Sequence, residues 1–477
     1  MARRSHFGAR PATYGNDRNS AQQGGGGGGP PPDYYIGLSG SDSNPGTLAS
    51  PWALTAINTK QATYAGKTVG LLDGTYGLVT ILGQPPGNGS NDYGQNRLQV
   101  KGGSSGSPTV IKSVNPRGAI IDWQKSIETS GSASASMGPT SDYVTIQDLV
   151  FTNATYRCIN NYASEGTGGN HLTVTGCQFE NQVYSGGGSA NAAAIYTQGW
   201  NDILITNCRF QGGSAPNDDN RYSCIKTYTA THRCTIEYCT FIAEAGTGNC
   251  IYFKDGSNFT PIVRYCHMDR SAGSTSSGDE DHCVFFDGQT TDNTDTASFH
   301  HNVMIQGGSN NAVFAADNFS GFIGTYDFHN NTFVGPWGSG GAIRKAGDGN
   351  PVATNIYNNI FYRVSGSPSG TADVNIRSIA TVGTMDYNYY PSTSPTWVMD
   401  GGSPTYSSLS AWLAACASAS RADIDAHSIT GANPLFVGSG TDAAAYQLQA
   451  GSPCKTLGAG GTEIGAWAGQ SQIGSSF

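Results

Sequence analysis

Four stretches of the chain repeat one pattern of apolar residues: VTIQDLVF (144–151), LTVTGCQF (172–179), ILITNCRF (203–210) and CTIEYCTF (234–241). Each begins with two apolar residues two positions apart, a Leu or Cys follows three positions later, and a Phe stands two positions after that. Because side chains alternate between the two faces of a β-strand, residues two apart line one face. The pattern therefore predicts short strands that bury the same face in every copy.

The pattern continues along the chain, and its Leu, Cys or Asn position, which we call the anchor, can be followed through nine copies. The anchors are Leu149, Cys177, Cys208, Cys239, Cys266, Asn302, Asn331, Asn359 and Asn388. Their spacings are 28, 31, 31, 27, 36, 29, 28 and 29 residues, with a mean of about 30. Self-similarity at a fixed period of this size is typical of solenoid proteins.

A second apolar motif follows most anchors after 9 to 17 residues. It reads Cys158-Ile159, Ala194-Ile195, Cys224-Ile225, Cys250-Ile251, Cys283-Val284, Ala312-Val313 and Ala342-Ile343. Two strand motifs held in phase predict the coil of an all-β solenoid, in which each coil stacks in parallel on the next at ~4.8 Å. A sandwich of antiparallel hairpins would instead show turn signals every ~8–12 residues without this phase.

The repeat accounts for most of the 11 cysteines and for the change of anchor from Cys to Asn. A residue repeated at one coil position forms a column, and a free Cys in such a column behaves as a small buried apolar residue. Disulfides between adjacent coils are the alternative. We expect the Asn anchors to hydrogen-bond along the axis and to satisfy the backbone of a tight inward turn.

Composition limits the class of protein. Charged residues make up 12% of the chain and its formal net charge is −9, so there is no basic stripe of the kind that nucleic-acid-binding proteins show. No apolar run approaches the roughly 18 residues of a membrane span. The first residues contain arginines but no apolar core of a secretory signal.

The chain divides into four predicted regions. Residues 1–23 form a basic tail, and residues 24–32, six Gly and three Pro, form a linker with a flexible and a stiff half. Residues 33–400 form the repeats with an N-terminal cap, and residues 401–477 form C-terminal coils and a cap. Helical periodicity is visible only near 52–63 and 407–416.

The two ends of the repeat region resemble those of a known superfamily. The relevant stretches are DYYIGLSGSDSNPGTLASPW (33–52), TVGLLDGTY (68–76), HSITGANPLFV (427–437), YQLQAGSPC (446–454) and EIGAW (463–467). Together with the repeat they resemble the right-handed parallel β-helix, or pectate-lyase-like, superfamily. The resemblance implies an all-β, right-handed parallel β-helix of roughly 10–12 coils with a short N-terminal cap helix. It leaves the chemistry open, because this fold hosts lyases, hydrolases, epimerases and non-enzymatic virion proteins.

Alternation in the second motif predicts a strip of side chains on the outer, solvent-facing side of one sheet. Aromatic rings pack on the C–H faces of sugars while charged groups bind hydroxyls or carboxylates, so the strip suits a polysaccharide. The predicted carbohydrate-binding residues are Tyr196, Tyr228, Tyr252, Phe285 and Arg344, and the predicted catalytic residues are Lys226, Lys254 and Asp287. Phe314 would also face outward. The alternative is that these residues only pack across strands.

Acidic loops lead into this strip, at Asp218-Asp219 and at Asp279-Glu280-Asp281-His282. Asp279 and Asp281 are candidate Ca²⁺ ligands, since Ca²⁺ takes several oxygen ligands. Such carboxylates could instead supply the acid of a glycosidase, or they could be solvated turn residues. A second polar strip, Glu237, Arg264, His300 and His329, lies two residues before consecutive anchors and is a weaker candidate for an acid–base array.

Three functions remain open at this stage. The first is a virion appendage, a tail spike or fibre, that joins its assembly through residues 1–32, forms a homotrimer and contacts host surface polysaccharide. The second is a polysaccharide lyase or glycoside hydrolase that acts as a free enzyme, and the third is a non-catalytic structural surface protein. We expect a virion or extracellular location and no nucleic-acid partner.

Overall fold

The structure is a computed structural model of the 477-residue chain, and it describes residues 30–82, 98–124, 137–154, 156–162, 169–182, 192–213, 222–228, 232–244, 247–254, 260–272, 282–287, 294–307, 312–318, 324–337, 341–347, 353–364, 372–376, 378–391, 395–399, 404–431 and 433–477. The predicted tail and most of the linker therefore lie outside the described residues. So do the candidate calcium ligands Asp279 and Asp281, and Asp218 and Asp219.

Three sheets of twelve strands each form a right-handed parallel β-helix, as predicted. Sheet 1 contains Tyr34–Ile36, Thr68–Leu71, Thr109–Ser113, Val144–Gln147, Asn170–Thr175, Asn201–Thr206, Cys234–Glu237, Pro261–Arg264, Thr296–His300, Thr325–His329, Ala353–Tyr357 and Val382–Asp386. Sheet 2 contains Gly74–Gly77, Ala119–Asp122, Val150–Thr152, Gln178–Glu180, Arg209–Gln211, Thr240–Ile242, His267–Arg270, Val303–Gln306, Thr332–Gly335, Ile360–Arg363, Tyr389–Pro391 and Ile429–Gly431. Sheet 3 contains Leu98–Val100, Met137–Pro139, Arg157–Tyr162, Ala193–Gln198, Ser223–Tyr228, Ile251–Lys254, Val284–Asp287, Phe314–Asn318, Ile343–Gly347, Val374–Ile376, Trp397–Met399 and Thr405–Tyr406.

The first sequence motif spans two strands, because the chain turns sharply just before each anchor. The residue at this turn has a positive φ in most coils, as at Tyr238, Tyr265, His301 and Asn358. The turn sends the chain from sheet 1 into sheet 2, and the second motif then forms sheet 3. The interior is filled by stacked apolar side chains, for example the parallel rings of Phe179, Phe210 and Phe241, whose centroids are 4.8 Å apart.

The anchor column is buried, and its chemistry follows the prediction. All 11 cysteines are free and buried. The Asn side chains form a ladder along the axis: Asn302 donates to Asn331 Oδ1 at 3.0 Å, Asn331 to Asn359 at 3.1 Å and Asn359 to Asn388 at 3.2 Å. Each of these oxygens also accepts the backbone N–H of the preceding anchor.

Short helices mark both ends, near the positions that the sequence predicted. The α-helices are Ala56–Thr59, Gln61–Tyr64, Leu78–Leu82 and Leu409–Ser418, and the 3₁₀ helices are Ile379–Thr381, Ala443–Tyr446 and Pro453–Lys455. None of the helices in the described part of the chain combines the length and the apolar character needed to cross a membrane.

The last part of the chain returns along the outside of the β-helix. Phe436, Tyr446 and Leu448 pack on the outer face of sheet 2 against Val334 and Ile360, and a cavity of about 490 Å³ remains beside them. Residues 465–477, which we call the return segment, then run back along the corner between sheets 1 and 2. Along this path Gly465 donates to the Asn358 carbonyl, Gly474 to the Tyr265 carbonyl and Ser476 to Asn207 Oδ1, and Phe477 lies 3.7 Å from the Arg117 guanidinium.

Candidate functional site

The predicted strip lies on the outer face of sheet 3 and runs along the axis. Backbone pairing aligns Asn160, Tyr196, Lys226, Tyr252 and Phe285 in one row, one residue per coil. Two residues further along each strand, Gln198 aligns with Tyr228, and Lys254 aligns with Asp287. We call these the inner row and the outer row. The register that the sequence predicted is therefore correct over these coils.

The expectation that the inner row faces solvent is wrong. The side chains of Tyr196, Lys226, Tyr252 and Phe285 are only 1, 2, 4 and 5% exposed. Among the described contacts, the His282 ring stacks on Phe285 at 5.4 Å, and Ala312 and Ala315 form a small apolar cluster with Tyr252 and Phe285. The binding and catalytic roles assigned to these residues remain predictions.

Cations lie against the rings of the inner row. The Lys226 ammonium is 4.3 Å from the centre of the Tyr252 ring, and the Arg157 guanidinium is 3.5 Å from that of Tyr196. Arg157 also donates to Asn160 Oδ1 at 2.9 Å. A cation over an aromatic face is attracted by the ring quadrupole, and this attraction offsets part of the cost of burying the charge.

The outer row is more accessible. Tyr228 and Lys254 are half-buried. Arg344, which continues the inner row two coils beyond Phe285, is half-buried as well. The Lys254 ammonium is 5.6 Å from the centre of the Tyr228 ring and 5.9 Å from that of Tyr252. The structure thus brings Tyr228, Tyr252 and Lys254 together, as predicted. The Asp287 backbone pairs with that of Lys254 on the next coil.

The assignment of Phe314 to the outer face is wrong. Phe314 pairs with Val284, and Ala315 pairs with Phe285, so the register is displaced by one residue from the predicted one. The Phe314 ring fills the interior, edge-on to Phe299 and Phe328 with centroids 4.7 Å away. The run of apolar residues at 312–316 has no period of two, so the sequence contains no signal that fixes its register.

A second polar row lies on the outer face of sheet 1, and its predicted register is correct. Backbone pairing aligns Glu237, Arg264, His300, His329, Tyr357 and Asp386. Arg264 donates to Glu237 Oε2 at 2.7 and 2.9 Å, and Asp386 contacts His427 Nδ1 at 2.6 Å. Most of this row is paired within itself.

The middle of this row contains a histidine cluster, of which sequence reasoning identified two members and missed His301. His300 and His329 stack with their centroids 4.6 Å apart, and His301 stands nearly perpendicular to both. Burial, with the positive charge of neighbouring groups, lowers the pKa of His300 to about 2 and that of His301 to about 4. His301 occupies the positive-φ turn position, which faces its neighbours on the preceding and following coils, so strand alternation gave no signal for it.

A comparison with solved structures finds distant similarities. A rhamnogalacturonan lyase is 14% identical over 74% of this chain and 87% of its own, with a TM-score of 0.40. Pectate lyase Pel9A is 14% identical over 93% and 95%, with a TM-score of 0.40, and the PL6 family alginate lyase AlyGC is 11% identical over 73% and 52%, with a TM-score of 0.41. No protein-family model and no curated protein sequence matches the chain. The fold of the chain, a right-handed parallel β-helix, follows from the three stacked parallel sheets themselves.

Proposed function

We propose that this protein binds an acidic polysaccharide along the outer face of sheet 3. The observation that supports the proposal is the alternation of cations with tyrosine rings on successive coils, from Arg157 over Tyr196 to Lys226 over Tyr252 and Lys254 beside Tyr228. The whole chain is acidic, with a formal net charge of −9, so this concentration of cations is local. Local positive charge in an acidic protein favours an anionic ligand.

Each residue type has a defined part in such binding. Tyrosine rings pack on the C–H faces of pyranose rings, and an ammonium or guanidinium group binds the carboxylate of a uronic acid. Coils repeat at about 4.8 Å, so a polymer lying along the axis meets a new pair of side chains on each coil. Among the described residues, a ligand reaches Tyr228, Lys254 and Arg344 first. These three side chains are half-buried, whereas those from Tyr196 to Phe285 in the inner row are buried.

Cleavage of the bound chain is a further part of the proposal. In a lyase reaction a base removes the proton next to the uronic carboxyl group, and Lys254, with Lys226 beside the same tyrosine ring, has the position for that role. In a hydrolase reaction a carboxylic acid protonates the leaving oxygen, and Asp287, the backbone partner of Lys254, is the candidate. The products distinguish the two reactions, since only elimination leaves an unsaturated uronide.

The test is binding and turnover on a panel of acidic and neutral polysaccharides. We expect Lys254→Ala to weaken binding of the acidic members at least ~10-fold. The matched control is Lys67→Ala, which removes an exposed lysine near the N-terminal cap. Equal binding by Lys254→Ala and the unchanged protein would contradict the proposal. Tyr252 is to be changed to Phe rather than Ala, because its ring packs on Phe285 at 4.8 Å and its removal would destabilise the fold.

The finer role that we assign is that of a virion appendage whose polysaccharide lies on a host surface. Support comes from residues 1–32, where a basic tail and a Gly/Pro linker precede the β-helix and suit attachment to an acidic partner. A homotrimer and bound Ca²⁺ at Asp279 and Asp281 belong to the same proposal. Light scattering tests the trimer, and calorimetric titration of Ca²⁺ into the protein and into its Asp279→Asn/Asp281→Asn variant tests the ion.

A further inference from the structure

We infer that His300, His301 and His329 form a binding site for a divalent transition-metal ion, with Zn²⁺ as the ion that fits best. The site lies at the corner between sheets 1 and 2, on a different face from the proposed polysaccharide site. It therefore adds a ligand to this protein that is independent of its action on polysaccharide.

The geometry brings three imidazoles to one point. One ring nitrogen from each histidine lies within 4.8 Å of the other two, and His300 Nδ1 is 2.9 Å from His301 Nδ1. Two imidazole nitrogens bound to one tetrahedral Zn²⁺ at 2.0–2.1 Å are roughly 3.3 Å apart. Small rotations of these half-buried rings would therefore bring the nitrogens to bonding distance.

The fold determines this juxtaposition. His300 and His329 are in register on adjacent strands of sheet 1, so their side chains leave the sheet side by side. His301 follows His300 directly, and its φ of 55° turns its ring across the other two. The three histidines come from only two coils, whose relative position is fixed by the backbone ladder and by the bond from Asn302 to Asn331.

The charged groups around the cluster suit a bound cation. The neighbouring Arg264 guanidinium is paired with Glu237 at 2.7 Å, and the Asp327 carboxylate lies 3.9 Å from His329 Nε2.

Groups around the cluster would also hold the ligands in place. His329 Nδ1 is 3.1 Å from Asn330 Oδ1. Metal-binding histidines generally use their second nitrogen in this way, which fixes the tautomer and the ring orientation. A set of three imidazoles favours Zn²⁺, Cu²⁺ or Ni²⁺ over Ca²⁺ and Mg²⁺, which prefer oxygen ligands.

The test is titration of the chelator-treated full chain with Zn²⁺ in competition with a chromogenic chelator, and with Co²⁺ followed by its visible absorption. The main variant is His301→Asn, because Asn occupies the same turn position, with the same sign of φ, at Asn330 and Asn358. The second variant combines His300→Gln with His329→Gln. The matched control is His171→Gln, a histidine on an earlier coil that stacks on Tyr143.

We expect one Zn²⁺ per chain in the unchanged protein and in the control, and affinity at least ~10-fold lower in both variants of the cluster. Zn²⁺ should raise the melting temperature of the unchanged protein but not of His301→Asn. Equal Zn²⁺ affinity in His301→Asn and the unchanged protein would overturn the inference, as would the absence of binding at micromolar Zn²⁺. Circular dichroism of each variant separates loss of a ligand from loss of the fold.

Discussion

At the scale of single residues, the anchor column shows that Cys and Asn have the same structural role in this fold. The Cys239 thiol lies 3.7 Å from the Ile205 carbonyl of the preceding coil and 3.3 Å from the Glu237 carbonyl. Asn359 donates to the equivalent two carbonyls, those of Phe328 and Tyr357, at 2.9 and 3.0 Å. Both residues have small side chains that donate hydrogen bonds to the backbone carbonyls at the turn. Asn also provides an oxygen that accepts the neighbouring backbone N–H.

Replacement of Cys239 tests this column. Cys239→Asp should be severely destabilising, because it places an unpaired charge between Cys208 and Cys266 where no water reaches. Cys239→Ala should cost only ~1–2 kcal/mol of unfolding free energy, which is the loss of buried volume. Both are measured by chemical denaturation. An unchanged melting temperature for Cys239→Asp would mean that position 239 is not in the buried column.

Asp425 should give the stability of the protein a measurable pH dependence. It is buried and accepts bonds from Ser428, Trp412, Tyr390 and Asn388, and burial raises its pKa from 3.8 to about 6. Between about pH 4 and pH 6 the native state therefore binds more protons than the unfolded state, and stability falls as the pH rises through this range. The total change is roughly 3 kcal/mol, and it is complete above the native pKa.

The measurement compares the unchanged protein with Asp425→Asn by denaturation at several pH values. The difference in unfolding free energy between them should change across the window from about pH 4 to pH 6 and stay constant above it. A difference that is the same at every pH would show that Asp425 titrates alike in the native and unfolded states.

At the scale of elements, the repeated motifs predicted the strands and most of their register, whereas features outside the repeat were not predicted. The anchors and the alternating residues before them predicted the strands of sheets 1 and 2 and the register of Glu237, Arg264, His300 and His329, because burial of one face allows only one register. The register of sheet 3 was predicted correctly as far as Phe285. The prediction failed at Phe314, because the apolar run there does not alternate. Burial of Tyr252 in the inner row could not be predicted. It depends on contacts such as that of the His282 ring with the inner row, and His282 lies outside the alternating positions of the repeat.

The turn between sheets 1 and 2 is a conformational requirement that can be tested at Asn358, whose φ is 57°. Asn358→Val should cost ~1–2 kcal/mol, because a β-branched residue resists the left-handed conformation. Asn358→Gly is the matched control and should be nearly neutral, since glycine adopts this conformation without a steric penalty. Thermal melts of the two variants give the answer, and equal melting temperatures would count against strain at this turn.

At the scale of the whole molecule, the β-helix begins close to residue 32 and is closed there by contacts of its own. The Pro32 ring lies against Gly70, and Asp33 exchanges hydrogen bonds with Thr68 at 2.8 and 2.9 Å. No strand of the described chain lies before Tyr34. The described fold therefore begins at about residue 30, and the segment proposed for attachment precedes it in the sequence.

Deletion of residues 1–29 separates these two roles. The shortened protein should keep its melting temperature within about 1 °C, because Pro32 and all described strands remain. If the proposed function is correct, it should bind polysaccharide as before but fail to join the proposed virion assembly. Normal incorporation of the shortened protein would remove the main support for the virion role, while its polysaccharide binding would remain a separate result.

The return segment changes how a β-helix of this kind unfolds. In a simple solenoid each coil touches only its neighbours, so the ends fray and unfolding proceeds coil by coil. Here residues 465–477 connect the coil of Asn358 to those of Tyr265, Asn207 and Arg117, which gives the chain contacts between residues far apart in sequence. The segment follows every coil that it touches, so it can dock only after all of them have formed. Docking of the segment is then a late step in folding, and it couples the repeats into a single cooperative unit. In unfolding, the segment must detach before the coils that it covers can unfold.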